Sequence, residues 1–284
     1  MKVLITGAKG QLGKTLEEYH ASFKDIEFVF TSRTSLDITS KKDVDSFFNK
    51  NQFKYCINCA AYTNVEKAEE EPEKAFSVNA EAVKNLAQAC KKNDVILIHI
   101  STDYVFDGQK NLPYLEEDQT NPINVYGASK LKGEEYIKSI LEKYFIIRTS
   151  WLYSDHGHNF VKTMLRLAES HKEITVINDQ ISSPTYALDL AEVIMIIVSN
   201  QILGYGVYHY SNEGEISWYD FAKEIFNQSK FNTKITPIST EKYFGNAKRP
   251  LYSLLDNKKI KEHLEIELNL WKVSLTQNLK RIAL

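Results

Sequence analysis

Little in this sequence of 284 residues invites a partner of opposite charge or a lipid bilayer. Its 35 basic and 37 acidic side chains leave a net charge of −2, and no Lys/Arg-rich block or basic arm stands out. Nucleic acid and anionic membrane surfaces are therefore not implied as partners. The aliphatic run Val193-Ile194-Met195-Ile196-Ile197-Val198 falls far short of the ~20 residues a membrane span requires, and reads as the buried face of a helix. Cysteines number three, an odd count with no secretory signal, so reduced thiols are expected rather than a disulfide framework. A working strand begins at Lys2 and leaves no room for a targeting peptide, so a cytoplasmic location is expected. Cys56 and Cys59 have C-x-x-C spacing, but they fall in a strand-like run, where positions three apart face opposite ways, and no second ligand pair follows. His156 and His158 flank a glycine in a loop with no third ligand at a suitable spacing, and read as surface residues. No metal site is expected.

What the chain does have begins at its first strand. Lys2-Val3-Leu4-Ile5-Thr6 is a short apolar run of the kind a buried parallel strand shows, and it feeds Gly7-Ala8-Lys9-Gly10-Gln11-Leu12-Gly13. Gly7 suits a tight turn, Gly10 admits close approach of a pyrophosphate, and Gly13 lets the following helix pack on the sheet. The helix then offers free N–H groups to phosphate. A glycine triplet alone is weak, but its position directly after the first strand is the context a dinucleotide site demands.

Strands and helices alternate onward from there: strand 27–31, helix 42–49, strand 55–60, a long helix 72–92, strand 95–100, helix 126–141 and strand 144–148. This is the βαβ repetition of an α/β fold, a doubly wound parallel sheet of Rossmann type. After Trp151 the pattern loosens around Pro184, Pro237 and Pro250. Residues 1–154, with part of about 186–212, are expected to form the dinucleotide-binding domain. A smaller C-terminal α/β substrate lobe is expected from about 155–185 and 213–284, over the carboxyl ends of the strands.

The strand at 95–100 runs into Ser101-Thr102-Asp103-Tyr104-Val105-Phe106, and Tyr126-Gly127-Ala128-Ser129-Lys130 follows after a loop. Tyr126 and Lys130, at i and i+4, share a helix face. Bringing a tyrosine from its usual pKa near 10 to near 7 needs about 4 kcal/mol, and one cation ~4 Å away at an effective dielectric of ~20 supplies about that. The pair can thus move a proton on or off an oxygen without a metal. Thr102, or Ser101 if the register differs, would orient the reacting oxygen. Roughly two Tyr-x-x-x-Lys matches arise by chance in such a chain. The second, Tyr219/Lys223, sits in a capped amphipathic segment with no glycine turn or Ser/Thr strand end before it, and reads as structural. Trp151 follows an apolar strand, which allows either a core tryptophan or a stacking platform. The second strand ends without an acid and with Arg33, favouring the 2′-phosphate of NADPH over NADH, which is not excluded.

With these residues in view the chain resembles the extended short-chain dehydrogenase/reductase family. The likeness runs nearly end to end, through Asn58-Cys59-Ala60-Ala61-Tyr62-Thr63, Val78-Asn79, Arg148-Thr149-Ser150-Trp151-Leu152-Tyr153, Thr163-Met164-Leu165-Arg166-Leu167-Ala168, Ile177-Asn178-Asp179-Gln180 and Arg249-Pro250. Within that family the resemblance implies NADPH-dependent reduction of the 4-keto group of dTDP-4-dehydro-β-L-rhamnose, the final step of dTDP-L-rhamnose synthesis for cell-surface polysaccharide. It implies that Gln11 and Leu12 lie along the pyrophosphate, Asp37 and Ile38 beside the adenine, and Ala61, Tyr62 and Thr63 against a ribose. Thr102, Asp103, Tyr126 and Trp151 would contact the sugar nucleotide, Arg249 a phosphate or sugar, and Lys130 the nicotinamide ribose. Two rivals on the same fold are a nucleotide-sugar epimerase or dehydratase that recycles bound NAD, and a non-catalytic regulatory subunit. Some relatives are dimers with a divalent metal held by acids near the C-terminus. This chain has no acid in Trp271–Leu284, so Mg2+ and a homodimer stay open.

Overall fold

The computed structural model describes residues 1–243 and 245–283. The chain opens with β1 (Lys2–Thr6), α1 (Gln11–Tyr19), β2 (Glu27–Phe30), α2 (Lys41–Lys50) and β3 (Tyr55–Asn58). Next come α3 (Val65–Glu70), α4 (Pro72–Phe76), α5 (Ala82–Lys92), β4 (Ile96–Thr102), α6 (Val125–Ile140) and β5 (Tyr144–Thr149). The later part contains β6 (Leu152–Tyr153), α7 (Phe160–Ser170), β7 (Glu173–Ile177), β8 (Ile181–Ser182), β9 (Thr185–Tyr186), α8 (Ala187–Ser199) and β10 (Gly206–His209). It ends with β11 (Ile216–Ser217), α9 (Trp218–Ser229), β12 (Lys234–Ile238), α10 (Lys258–Leu264) and α11 (Trp271–Ile282).

Six parallel strands form the central sheet in the order β10-β5-β4-β3-β1-β2. The winding reverses between β1 and β3, and a crevice for ligands opens at the carboxyl ends of strands on either side of such a reversal. Register brings the chemistry level there: Thr6 pairs with Asn58, Asn58 with His99, and Thr102 with Thr149.

Alternation along β1 explains the two layers of helix. Val3 and Ile5 face a core shared with Leu12 and Leu16 of α1 and with the apolar α8, whereas Leu4 faces Val44, Phe48, Leu86 and Ile137 on the other side. Each fully buried side chain of this size contributes about 1.5–3 kcal/mol. The run 193–198 lies within α8, as its composition implies. No helix among the described residues is long and apolar enough to cross a membrane.

A third core gathers α7, α9 and α11 around Met164, Phe221, Ile225, Trp271 and Leu275. Around it β7 pairs with β12, β8 with β11, and β6 with β9. Helix α9 is capped by Ser217, whose Oγ accepts from Asp220 N at 3.0 Å. Lys223 lies over the Tyr219 ring at 5.3 Å, so this second Tyr/Lys pair belongs to helix packing.

The long helix expected over 72–92 is not one α-helix. A π-helical turn, Ser77–Glu81, separates α4 from α5. The wide turn presents Asn79, whose Oδ1 accepts from Tyr62 N (2.8 Å) and whose Nδ2 donates to Tyr62 O (2.9 Å) and Ser129 Oγ (3.0 Å). The segment after β3 is thereby tied to α6, and a π-turn at such a junction is common near functional sites.

Candidate active site

The cleft at the carboxyl ends of the strands has a volume of about 580 Å³, and the glycine loop, Thr102, Tyr126, Lys130, Trp151 and Trp218 open onto it. A second hollow of about 690 Å³ lies at the opposite edge, beside Met1, Phe23, Gln52 and Gln201. None of these acid–base side chains reaches it.

Gly7 has φ +70°, and a Cβ there would come 2.6 Å from Ala60 N; a Cβ on Gly13 would come 2.4 Å from Gly7 O. Side chains at either position would fill the cradle or push α1 off the sheet. Gly10 caps α1 without a side-chain hydrogen bond, so the first-turn N–H groups remain free for an anion. Arg33, just past β2, is largely exposed and stands 3.9 Å from Asp37. Asp37 accepts from Thr39, and these bonds hold its carboxyl below the usual range. These features fit a phosphorylated dinucleotide.

The structure sorts the remaining expected cofactor residues. Ala61 and Thr63 reach the cleft with Gln11 and Leu12. Ile38 is buried in the core, its carbonyl accepting from Asn85. The Tyr62 hydroxyl donates to Glu71 at 2.9 Å rather than facing the cleft. Gln11 Oε1 accepts from Ser154 Oγ (3.1 Å) and Asn159 Nδ2 (2.9 Å), joining the glycine loop to the segment that leads into α7.

Thr102 and Ser101 diverge as strand alternation demands. Ser101 Oγ donates to the buried Glu134 Oε1 at 2.6 Å, while the Thr102 hydroxyl donates to Asp103 Oδ1 at 3.1 Å and accepts from Tyr104 N. Burial pushes the Tyr126 hydroxyl up to about 12, partly offset by its hydrogen bond with Thr102, while Asp103 pushes it further up. Tyr104 packs edge-on against the Tyr126 ring at 5.9 Å. Asp103 is pushed up to about 7 by burial, despite hydrogen bonds from Ser253 Oγ (2.6 Å) and Thr102.

Lys130 Nζ donates to Ile100 O at 2.6 Å and lies 3.3 Å from His99 Nε2, while burial pulls it down to about 8. The helix spacing is right, but a flexible stem lets the amine turn to the nearest buried acceptor. His156 is not a surface residue: it is mostly buried, with Nε2 3.0 Å from Glu18 Oε1 and 3.7 Å from Asp155 Oδ2. Sequence spacing could not bring Glu18 to it. Among the described residues this trio is the one grouping of three ligand-type side chains, and the guanidinium of Arg281 already bridges its two carboxylates.

Trp151 has φ +47° and stacks on Trp218 with ring centroids 3.6 Å apart and planes 13° from parallel. One face of Trp151 is thus covered, and Trp218, backed by Phe160 at 4.4 Å, joins it at the cleft. No local signal in the sequence marks Trp218, because only tertiary closure brings the start of α9 to the end of β5. His158 also borders the cleft. Arg249 does not: its Nη2 donates to Glu66 Oε1 at 2.6 Å and its guanidinium covers the Tyr243 ring.

Comparison with known proteins adds independent findings. The family model described as RmlD substrate binding domain matches residues 1–284. A dTDP-4-dehydrorhamnose reductase of Aggregatibacter actinomycetemcomitans is 40% identical over 292 residues, covering 99% of both chains. The crystal structure of a dTDP-4-dehydrorhamnose reductase from Clostridium acetobutylicum superimposes with a TM-score of 0.96 at 42% identity, over 100% of both chains. A Bacillus anthracis dTDP-4-dehydrorhamnose reductase, solved in complex with NADP, gives a TM-score of 0.95 at 40% identity over 99% of each.

Proposed function

The chain belongs to the RmlD substrate binding domain family, and from that premise we propose that it is an oxidoreductase reducing the 4-keto group of dTDP-4-dehydro-β-L-rhamnose with NADPH, yielding dTDP-β-L-rhamnose. The observation that carries this reading is the convergence of Thr102, Tyr126 and Lys130 on one cleft with the glycine loop. Its relatives carry the same activity in their names.

Gly7, Gly10, Gln11, Leu12 and Gly13 would hold the pyrophosphate, Arg33 the 2′-phosphate, Asp37 and Ile38 the adenine end, and Ala61, Tyr62 and Thr63 a ribose. When bound, NADPH supplies the hydride. Thr102 orients the substrate carbonyl, and Tyr126 gives its proton to the oxygen. A hydroxyl pushed up to about 12 is protonated throughout the neutral range, the state an acid must start from. Lys130 lies 2.6 Å from Ile100 O on the wall of the same cleft, where a ribose hydroxyl can draw it round toward Tyr126. Asp103 and Trp151 would contact the sugar nucleotide, with Trp218 behind the stack; Arg249 would reach a phosphate only by leaving Glu66. The preference for NADPH over NADH rests on the exposed Arg33. A dinucleotide-binding domain of 1–154 plus part of 186–212 is supported by the packing of α8 on β1 and α1. The lobe of 155–185 and 213–284 is supported by the separate core of α7, α9 and α11.

The deciding experiment mixes the protein with NADPH and dTDP-4-dehydro-L-rhamnose generated in situ, and follows loss of reduced-nicotinamide absorbance. Oxidation with dTDP-rhamnose as product is expected. No oxidation despite NADPH binding would sink the assignment, and cofactor that remains bound without net consumption would favour an epimerase. Tyr126→Phe is expected to abolish turnover while NADPH binding persists.

A further inference from the structure

A line of buried polar groups runs behind the cleft, from β1 through β3 and β4 to α6. Thr6 Oγ1 donates to Asn58 Oδ1 at 2.6 Å, and Ala60 N donates to the same oxygen at 3.2 Å. A backbone N–H can only donate, so the carboxamide oxygen must face Ala60 and the amide nitrogen must face outward. Asn58 Nδ2 then lies 3.0 Å from His99 Nδ1, which has to accept. A neutral imidazole with Nδ1 accepting carries its proton on Nε2, and Nε2 is the atom 3.3 Å from Lys130 Nζ.

An ammonium in that position would set two donors against each other where His99 is 0% exposed and Lys130 2%. A neutral amine removes the conflict: its lone pair accepts from Nε2–H, one N–H goes to Ile100 O, and the other is left for the cleft. A doubly protonated imidazole is excluded, because Nδ1 is already accepting and a second buried cation would face Lys130. The geometry points to His99 as a positioning residue that, fixed by Asn58 in the Nε2–H form, disfavours the Lys130 ammonium and shifts the balance toward the neutral amine in the cofactor-free protein. Asn58 has no titratable proton, so the line ends there and serves as a polarity lock rather than a proton wire.

Charged and titratable neighbours on every packed element leave this intact. Just past β3, Cys59 is pushed up by burial and stays a thiol. On α6, Tyr126 is neutral, and the Glu134 carboxylate is taken up by Arg148 of β5, Ser101 of β4 and Lys138. Asp103, past β4, is engaged by Ser253 and Thr102. The role for the reaction rests on the reductase reading: an amine poised near neutrality can change ionisation within a turnover, which a permanent ammonium cannot.

The test is NMR on cofactor-free labelled protein. Imidazole ¹⁵N spectra, with His99 assigned by its loss in His99→Gln, are expected to show the Nε2–H tautomer. The ¹³Cε resonance of Lys130, assigned by its loss in Lys130→Met, is expected to titrate below free lysine. In His99→Gln, where a carboxamide oxygen can accept from Nζ, it should move up by about one pH unit. Asn58→Asp, which keeps the acceptors for Thr6 and Ala60 but turns the His99 tautomer round, should move it the same way and serves if His99→Gln does not fold. The basic limb of the kcat/KM profile should follow. A wild-type Nδ1–H tautomer, or an unmoved Lys130 titration in a folded variant, overturns the proposal. Loss of the reductase reading alone would leave the NMR expectations unchanged.

Discussion

Lys130 and Glu134 stand one turn apart on α6, both inaccessible to solvent, and their surroundings treat them in opposite ways. Glu134 is saturated: Arg148 Nε and Nη2 donate at 2.9 and 2.7 Å, and Ser101 and Lys138 add two more bonds. That pairing holds its carboxyl down at about 2, against the upward pull of burial. Lys130 has one carbonyl and an imidazole whose Nε2–H offers an ammonium nothing to donate to. A saturated buried charge fixes the fold, whereas an under-partnered ionisable group is free to meet a ligand. The helix therefore carries a fastener and a tool on adjacent turns.

Lys130→Met should separate the two roles most sharply. Turnover is expected to fall by about 10²–10⁴-fold with no loss of thermal stability, because an under-partnered buried amine is replaced by an apolar side chain of similar length. Steady-state kinetics and thermal melts check this, and a melt lowered as far as the activity would erase the distinction. Glu134→Leu is the mirror test. It strands Arg148 and is expected to cost about 3–5 kcal/mol of unfolding free energy, read by chemical denaturation, while the folded fraction keeps its NADPH affinity.

Asp103 sharpens the comparison as a third buried ionisable group, one whose hydrogen bonds do not offset its burial. Its folded value, raised from 3.8 to about 7, means the stability it contributes is full below about pH 4 and is lost as pH rises to about 7. Asp103→Asn should flatten that stretch of the stability–pH curve, by on the order of 4 kcal/mol at most. Equal slopes for variant and wild type would remove Asp103 from the set. The smallest effect is expected at Lys223→Met, the exposed cation over the half-buried Tyr219 ring, with stability changed by no more than about 0.5 kcal/mol and activity unchanged.

What could be read in the sequence was whatever local geometry controls. The glycine loop, the alternating elements and the Tyr126/Lys130 spacing are set within a few residues, and the parallel sheet follows from their repetition. Strand alternation also split Ser101 from Thr102, although only the position of Glu134 shows which way each faces. What could not be read depends on closure across the chain. Trp218 meets Trp151 across 67 residues, Arg281 reaches Glu18 across 263, and the Asn58–His99 contact exists only because β3 and β4 are neighbours in register. The direction of Lys130 belongs to the same class, since four rotatable bonds leave its head group to be decided by whichever acceptor lies nearest.

The stacked indoles also make the cleft observable. Of three tryptophans, Trp151 and Trp218 lie face to face at 3.6 Å at the cleft, while Trp271 is buried in the core shared by α7, α9 and α11. Two transition dipoles this close couple, so near-ultraviolet circular dichroism should carry a couplet from this pair that Trp218→Phe abolishes. A sugar nucleotide that shifts either ring would alter the couplet without any label, reporting occupancy separately from turnover.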